Sequence, residues 1–194
     1  MSSHPSFLVI SASLDPASRS RRLAALCQRE LSAAGNCGLL DLRELNAPSF
    51  DNTTIYASEA NRVARASIAA ASGIVLAGPT YNWACGSELK KLIEYTGSTP
   101  PDGSMHSVWF DKVVTFVNSG GLPQSYMAFL DLAGSLMLDF KCVINPYHVY
   151  VDNTGWTNDE LNEHVAARLT KSMRALREMT TLLAARTYRS GWEI

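Results

Sequence analysis

No apolar run in the sequence approaches the roughly 18 residues that a membrane-spanning helix needs, so no membrane partner is expected. An excess of one charge is also lacking. The 17 Lys and Arg stand against 18 Asp and Glu, leaving a formal net charge of −1. Such a chain has no global field to recruit nucleic acid or an anionic surface, and any basic patch has to be local. Cysteine is sparse and scattered: Cys27, Cys37, Cys85 and Cys142 form no paired spacing, so neither a metal centre nor a disulfide framework is expected. Residues Met1–Ser6 lack the apolar core of a signal peptide. These absences predict a reduced, cytoplasmic protein without a metal site. Two nucleotide-binding signatures are missing as well. Neither G-x-G-x-x-G nor G-x-x-x-x-G-K-[ST] occurs, which excludes the Rossmann fingerprint and the P-loop.

What is present reads as one globular domain over residues 1–194, with 46% hydrophobic and 18% charged residues and no repeat or linker to divide it. Short continuous apolar runs mark strands at Phe7–Ile10, Leu39–Leu42, Ile74–Ala77 and Val113–Val117. A last strand spans Cys142–Ile144 and resumes through Tyr147–Val151. Between them lie helical patterns. Leu23, Leu26, Cys27 and Leu31 outline the first, and Ala60, Val63, Ala64, Ile68 and Ala71 the second. Leu89, Leu92 and Ile93 mark the third, and a long helix is expected from about Gln124 to Asp139. Leu161, Val165, Leu169, Met173, Leu176 and Leu183 predict a C-terminal helix with Asp159 and Glu160 in its first turn. Residues 46–54 and 97–107 read as loops. The alternation predicts an α/β fold: a parallel sheet covered by helices on both faces. Five strands and this length favour a flavodoxin-like doubly wound sheet of order 2-1-3-4-5.

In such sheets ligands lie beyond the carboxyl ends of the strands. Three turns leave strand ends there, and the expected order makes their strands neighbours. The first, Ser11–Arg22, is rich in hydroxyls and carries Arg19, Arg21 and Arg22 at the start of a helix. Backbone N–H groups, serine hydroxyls, a helix dipole and a guanidinium all suit a phosphate. The second, Gly78–Gly86, contains Pro79-Thr-Tyr-Asn-Trp83, a rigid backbone bearing flat aromatic surfaces on which a planar heterocycle would stack. The third, Asn118-Ser-Gly-Gly121, lets backbone approach a ligand closely.

Taken together, these motifs resemble the NAD(P)H-dependent FMN reductase family of flavodoxin-like proteins. The family's phosphate loop, Gly-Ser-Leu/Pro-Arg-x-x-Ser-x-Asn/Ser, is matched by Ala12-Ser-Leu-Asp-Pro-Ala-Ser-Arg-Ser20. Its Pro-x-Tyr-Asn element, followed by Pro-Gly-x-Leu-Lys, is matched by Pro79-Thr-Tyr-Asn82 and Gly86-Ser-Glu-Leu-Lys90, and its Gly-Gly turn by Ser119-Gly-Gly121. The resemblance implies that Ser13, Ser18 and Ser20 hold the FMN phosphate. Asp15 stands where the family usually has a phosphate-facing arginine, so Arg19 takes that role. Pro79, Thr80, Tyr81, Asn82 and Trp83, with Ser119, Gly120 and Gly121, would hold the isoalloxazine. Tyr81, Asn82 and Trp83 are the best placed of these to shape a nicotinamide pocket.

The implied activity is hydride transfer from NAD(P)H to FMN and on to a small-molecule acceptor: free flavin, a quinone, an azo compound or a metal oxyanion. The cofactor carries that chemistry, so no side chain is named as catalytic. A homodimer or homotetramer is implied as well. The second reading is a non-enzymatic flavodoxin-type electron carrier or flavin-binding module. Flavodoxins proper, however, use a Thr/Ser-x-Thr-Gly-x-Thr loop and are strongly acidic, and the chain has neither feature.

Overall fold

The computed structural model describes residues 5–33, 35–97 and 106–192. The chain begins with β1 (Phe7–Ser11), α1 (Arg19–Ser32), β2 (Cys37–Asp41) and the short α2 (Leu42–Leu45). Then come α3 (Glu59–Ala70), β3 (Gly73–Tyr81), β4 (Ala84–Cys85) and α4 (Ser87–Gly97). The second half holds β5 (Val113–Ser119), α5 (Leu130–Phe140), β6 (Val143–Ile144) and β7 (Val149–Val151). A hairpin of β8 (Trp156–Thr157) and β9 (Glu160–Leu161) precedes α6 (Glu163–Ala184).

Successive residues of a strand point to opposite faces, and this sheet uses both. Phe7 and Val9 of β1, Val75 and Ala77 of β3, and Val113 and Val117 of β5 enter one core. Leu8, Ile10, Ile74, Leu76, Val114 and Phe116 enter the other. The first core is closed by Leu23, Cys27 and Leu31 of α1 and by Leu169, Met173 and Leu176 of α6, each set at intervals of three, four or seven. The second is closed by α3, α4 and α5 through Ala64, Ile68, Leu89, Leu92 and Leu136. Burial on both sides explains why these strands read as unbroken apolar runs.

The expected doubly wound parallel frame is present, but among the described residues the sheet has seven strands instead of five, in the order β2-β1-β3-β5-β6 with β4 on β3 and β7 on β5. Two local causes account for the difference. The last strand is cut in two at Pro146, which has no N–H to donate. Beside it the buried Asn145 donates to Thr115 Oγ1 at 2.9 Å and to the Ser172 carbonyl at 3.1 Å, and its Oδ1 accepts from the Tyr147 N–H at 2.9 Å. The strand beginning at Gly73 does not stop at Pro79. It runs on to Tyr81 and folds back, so that Thr80 pairs with Cys85 and Tyr81 with Ala84.

Two helices also differ from expectation. In place of one helix over 124–139, a 3-10 turn (Pro123–Met127) is followed by α5. Tyr150 Oη donates to the Leu122 carbonyl at 2.6 Å and the His148 ring bonds the Tyr126 carbonyl at 3.2 Å, tying the first half to β7. Asp159 and Glu160 belong to the β8–β9 hairpin, and α6 starts at Glu163 with Asn162 as its N-cap. The polar start over residues 1–4 and most of the expected connector at 97–107 lie outside the described residues.

His148 makes the join between β7 and the 3-10 turn sensitive to pH. Its ring stacks on Phe129 with centroids 4.2 Å apart. Burial, with the positive charge of Arg168 adding to it, pushes its pKa below the usual imidazole value of 6.5. The unfolded chain therefore binds the proton more readily, and this contribution to stability is lost as pH falls below about 6.5. The urea midpoint should drop between pH 7.5 and 5.5, and by less in His148→Gln.

Candidate functional site

The carboxyl ends of β1, β3 and β5 lie side by side, with Ser11 opposite Ala77 and Pro79 opposite Ser119. Their three turns close a triangle. The first meets the second where the Ala12 N–H donates to the Ala77 carbonyl at 2.8 Å; a Cβ placed on Gly78 would stand 3.4 Å from that of Ala12. The second meets the third where Thr80 Cβ lies 3.3 Å from the position of a Cβ on Gly120. The first meets the third through Asn153. Its Oδ1 accepts from Arg19 Nη1 at 2.7 Å, and its Nδ2 lies 3.9 Å from a Cβ position on Gly121.

The first turn is shaped by its own side chains. Ser13 Oγ, buried, accepts from the Asp15 N–H at 3.2 Å, and Asp15 Oδ1 accepts from the Ala17 N–H at 2.9 Å. Asp15 is thus spent as a turn former. Ser18 is the N-cap of α1; its Oγ accepts from the Ser20 N–H at 3.2 Å and lies 2.8 Å from the buried Ser20 Oγ. The first turn of α1 carries no carboxylate, whereas α3, α4, α5 and α6 each carry one. The positive end of its dipole is therefore unmatched by any acidic side chain of its own. Arg21 and Arg22 are paired with the carboxylates of Asp41 at 2.6 Å and Asp159 at 2.7 Å, whereas Arg19 is held by the neutral Asn153 and, among the described residues, makes no ion pair.

The second turn is a two-residue hairpin loop. Asn82 and Trp83 sit at φ 49° and 66°, the left-handed pair that a type I′ turn demands. Pro79 is buried and its carbonyl accepts the Gly86 N–H at 2.9 Å, whereas Tyr81 and Trp83 are 59% and 61% exposed. Two large aromatic rings therefore stand in solvent at the mouth of the triangle. Cys85, on the returning strand, is pushed up to about 11 by burial and stays a thiol.

The strand ends that carry these turns also hold unmet polar groups. Thr80 Oγ1 and Asn118 Oδ1 are buried without a hydrogen-bond partner, while Asn118 Nδ2 donates to the Gly78 carbonyl at 3.3 Å. An orphaned hydroxyl and an orphaned amide oxygen on neighbouring strand ends are costly in a closed core and are groups that a polar-edged ligand would satisfy. Ser119 is buried in the same row. At Gly120 the space a Cβ would need is taken by the Tyr150 hydroxyl, so a glycine is required here by packing within the chain as well. Gly121 faces open space, with only Asn153 within 4 Å of a Cβ position.

Tyr150, Asn153 and Trp156 are the residues that sequence reasoning missed. They come from the connection after β7, which carries no motif; only its run of turn formers, Asp152-Asn-Thr-Gly155, could have drawn notice. Among the described residues no group of three or more His, Cys, Asp or Glu is arranged to hold a metal, and no helix is long and apolar enough to cross a membrane.

A doubly wound parallel sheet with a hydroxyl-rich turn, an aromatic hairpin and a Gly-Gly turn at its carboxyl edge is a flavodoxin-like α/β architecture. The sequence profile of the family described as NADPH-dependent FMN reductase matches residues 5–154, and the chain belongs to that family, whose chemistry is oxidoreduction with FMN and NAD(P)H. No curated protein sequence matches the chain. Among solved structures, the fold is similar to the apo form of the NADH:FMN oxidoreductase EMOB, with TM-score 0.72, 14% identity, and 90% and 89% of the two chains covered. It is also similar to FerB, a flavoenzyme NAD(P)H:(acceptor) oxidoreductase from Paracoccus denitrificans, with TM-score 0.72, 18% identity and coverage of 91% and 97%. An azoreductase from Bacillus anthracis aligns with TM-score 0.60, 19% identity and coverage of 90% and 99%.

Proposed function

We propose that this enzyme passes hydride from NAD(P)H to FMN and then electrons to a small acceptor such as free flavin, a quinone, an azo compound or a metal oxyanion. The observation that carries the reading is the closed triangle of three turns with two orphaned buried polar atoms, the Thr80 hydroxyl and the Asn118 amide oxygen. An isoalloxazine, flat with a polar edge bearing an N–H, fits that combination. A phosphate fits the first turn, where Ser13, Ser18 and Ser20 cluster at an uncompensated helix N-terminus beside Arg19.

Bound FMN supplies the redox chemistry, accepting hydride and delivering electrons. The chain binds, orients and shields. The serines of the first turn and Arg19 anchor one end. Pro79, Thr80, Ser119, Gly120 and Gly121 supply a rigid floor, and Tyr81, Asn82 and Trp83 form an aromatic rim over which the nicotinamide and then the acceptor are placed. All of this lies on residues 1–194 read as one domain, and its four free thiols suit a reducing, cytoplasmic setting. The exposed Leu122, Tyr126, Met127, Leu130, Met137 and Leu138 form an apolar surface from the third turn along α5. A homodimer or homotetramer would cover it, and light scattering of the purified protein reads that state directly.

Purified protein with FMN should oxidise NADPH or NADH well above a control of flavin alone. Oxidation no faster than that control, together with no FMN binding, would remove the proposal.

A further inference from the structure

The neutral partner of Arg19 has a consequence for the cofactor. Asp41 and Asp159 neutralise Arg21 and Arg22. Arg19 Nη1 instead donates to the amide oxygen of Asn153 at 2.7 Å, and its guanidinium lies 5.6 Å from the ring centre of Trp156. An amide oxygen and an aromatic face orient a guanidinium while leaving its full charge available to an incoming anion. We infer that Asn153 and Trp156 are positioning residues that hold Arg19 between the first and third turns with its charge reserved for the FMN phosphate. This rests on the proposal that the first turn binds that phosphate.

The segment that carries the pair is itself fixed. Asp152 Oδ1 accepts from the Thr154 N–H at 2.8 Å and from its hydroxyl at 2.7 Å, and Asn162 Nδ2 donates to the Thr154 carbonyl at 3.1 Å. Gly155 allows the chain to close on Val151, whose Cγ1 stands 2.6 Å from where a Cβ would be, and Trp156 then pairs with Leu161 in the hairpin. Arg19 is thus held by a preorganised element, which is what a site for a dianion requires. Trp156 and the hairpin follow directly on the residues 5–154 that match the family.

Dissociation constants for FMN and for riboflavin, read from quenching of flavin fluorescence in the full chain, test this. Riboflavin lacks the phosphate, so a loss confined to FMN reports the charge of Arg19 and not general misfolding. Asn153→Ala should weaken FMN about tenfold and change riboflavin by less than about twofold. Asn153→Asp should weaken FMN further than Asn153→Ala, because a carboxylate would neutralise the guanidinium. In an Arg19→Ala background, Asn153→Ala should add nothing. Trp156→Phe should stay near wild type, since the Trp156 Nε1 has no partner to lose, whereas Trp156→Leu should weaken FMN alone. Equal losses for both flavins, or an unchanged FMN constant, would overturn the inference while Arg19→Ala still showed its FMN-selective loss. If Arg19→Ala itself shows no such selectivity, the phosphate assignment has failed and the positioning role falls with it.

Discussion

Gly120→Ala should weaken FMN binding by about ten- to a hundredfold although it adds a single methyl group. The new Cβ would meet the Tyr150 hydroxyl and would stand 3.3 Å from Thr80 Cβ, with Tyr150 Cζ at 3.2 Å. Neither neighbour yields easily. Tyr150 Oη is tied to the Leu122 carbonyl at 2.6 Å, and the Gly120 N–H is tied to the Val151 carbonyl at 3.1 Å. Overpacking of this kind costs about 1–3 kcal/mol, and the strain is relieved by moving the third turn away from the second. A tenfold change in affinity is about 1.4 kcal/mol, so most of the cost is expected to appear in cofactor binding.

Two companions make the FMN titration decisive. Tyr150→Phe in the Gly120→Ala background removes the hydroxyl and should recover much of the affinity. Gly121→Ala places its methyl in open space and should leave the thermal midpoint of the flavin-free protein unchanged; any loss of FMN affinity in that variant then reports a direct contact. If Gly120→Ala binds FMN like wild type, the third turn is not a wall of the site.

How far the site was legible depended on what each residue answers to. The strands and the α1 and α6 faces could be read because their residues answer to one period and one neighbouring layer, as Phe7, Val9, Leu23 and Leu169 do. The three turns could be read because hydroxyls, an aromatic hairpin and paired glycines sit immediately after apolar runs. Arg19 stands out in the sequence because Asp15 occupies the usual arginine position, but the side chains that hold it cannot be read there. Asn153 and Trp156 are more than 130 residues away along the chain, and their importance exists only once β7 lies beside β5. Gly120 is a related case. The residue was legible as a close-approach position, but the approaching group is Tyr150, 30 residues later, which a local pattern does not show. The split of the last strand at Pro146 and of the segment before α5 likewise depended on Asn145, His148 and Tyr150 finding partners on other elements.

Trp83→Gly should make the protein more stable and the enzyme worse. A two-residue type I′ loop requires positive φ at both positions and is best filled by Asn-Gly. Asn82, at φ 49°, suits the first place; Trp83, at φ 66°, occupies the second, where a bulky side chain costs about 1–2 kcal/mol. Burial does not repay that cost, because the ring is 61% exposed. Glycine removes the strain but gains freedom in the unfolded chain, which returns about 0.5–1 kcal/mol of the benefit. The net expectation is a rise in the thermal midpoint of about 2 °C. Strain retained at an exposed residue of a site is a sign of use, and the use proposed for Trp83 is an aromatic rim for the nicotinamide. kcat/KM for NADPH or NADH should therefore fall by about tenfold or more, equivalent to about 1.4 kcal/mol of lost transition-state stabilisation, while the FMN dissociation constant changes less. Trp83→Phe keeps both the backbone strain and most of the ring, so its midpoint should match wild type and its kcat/KM should fall between the two. A Trp83→Gly enzyme that is more stable yet fully active would show that the strained tryptophan has no part in nicotinamide placement, and would move the rim to Tyr81.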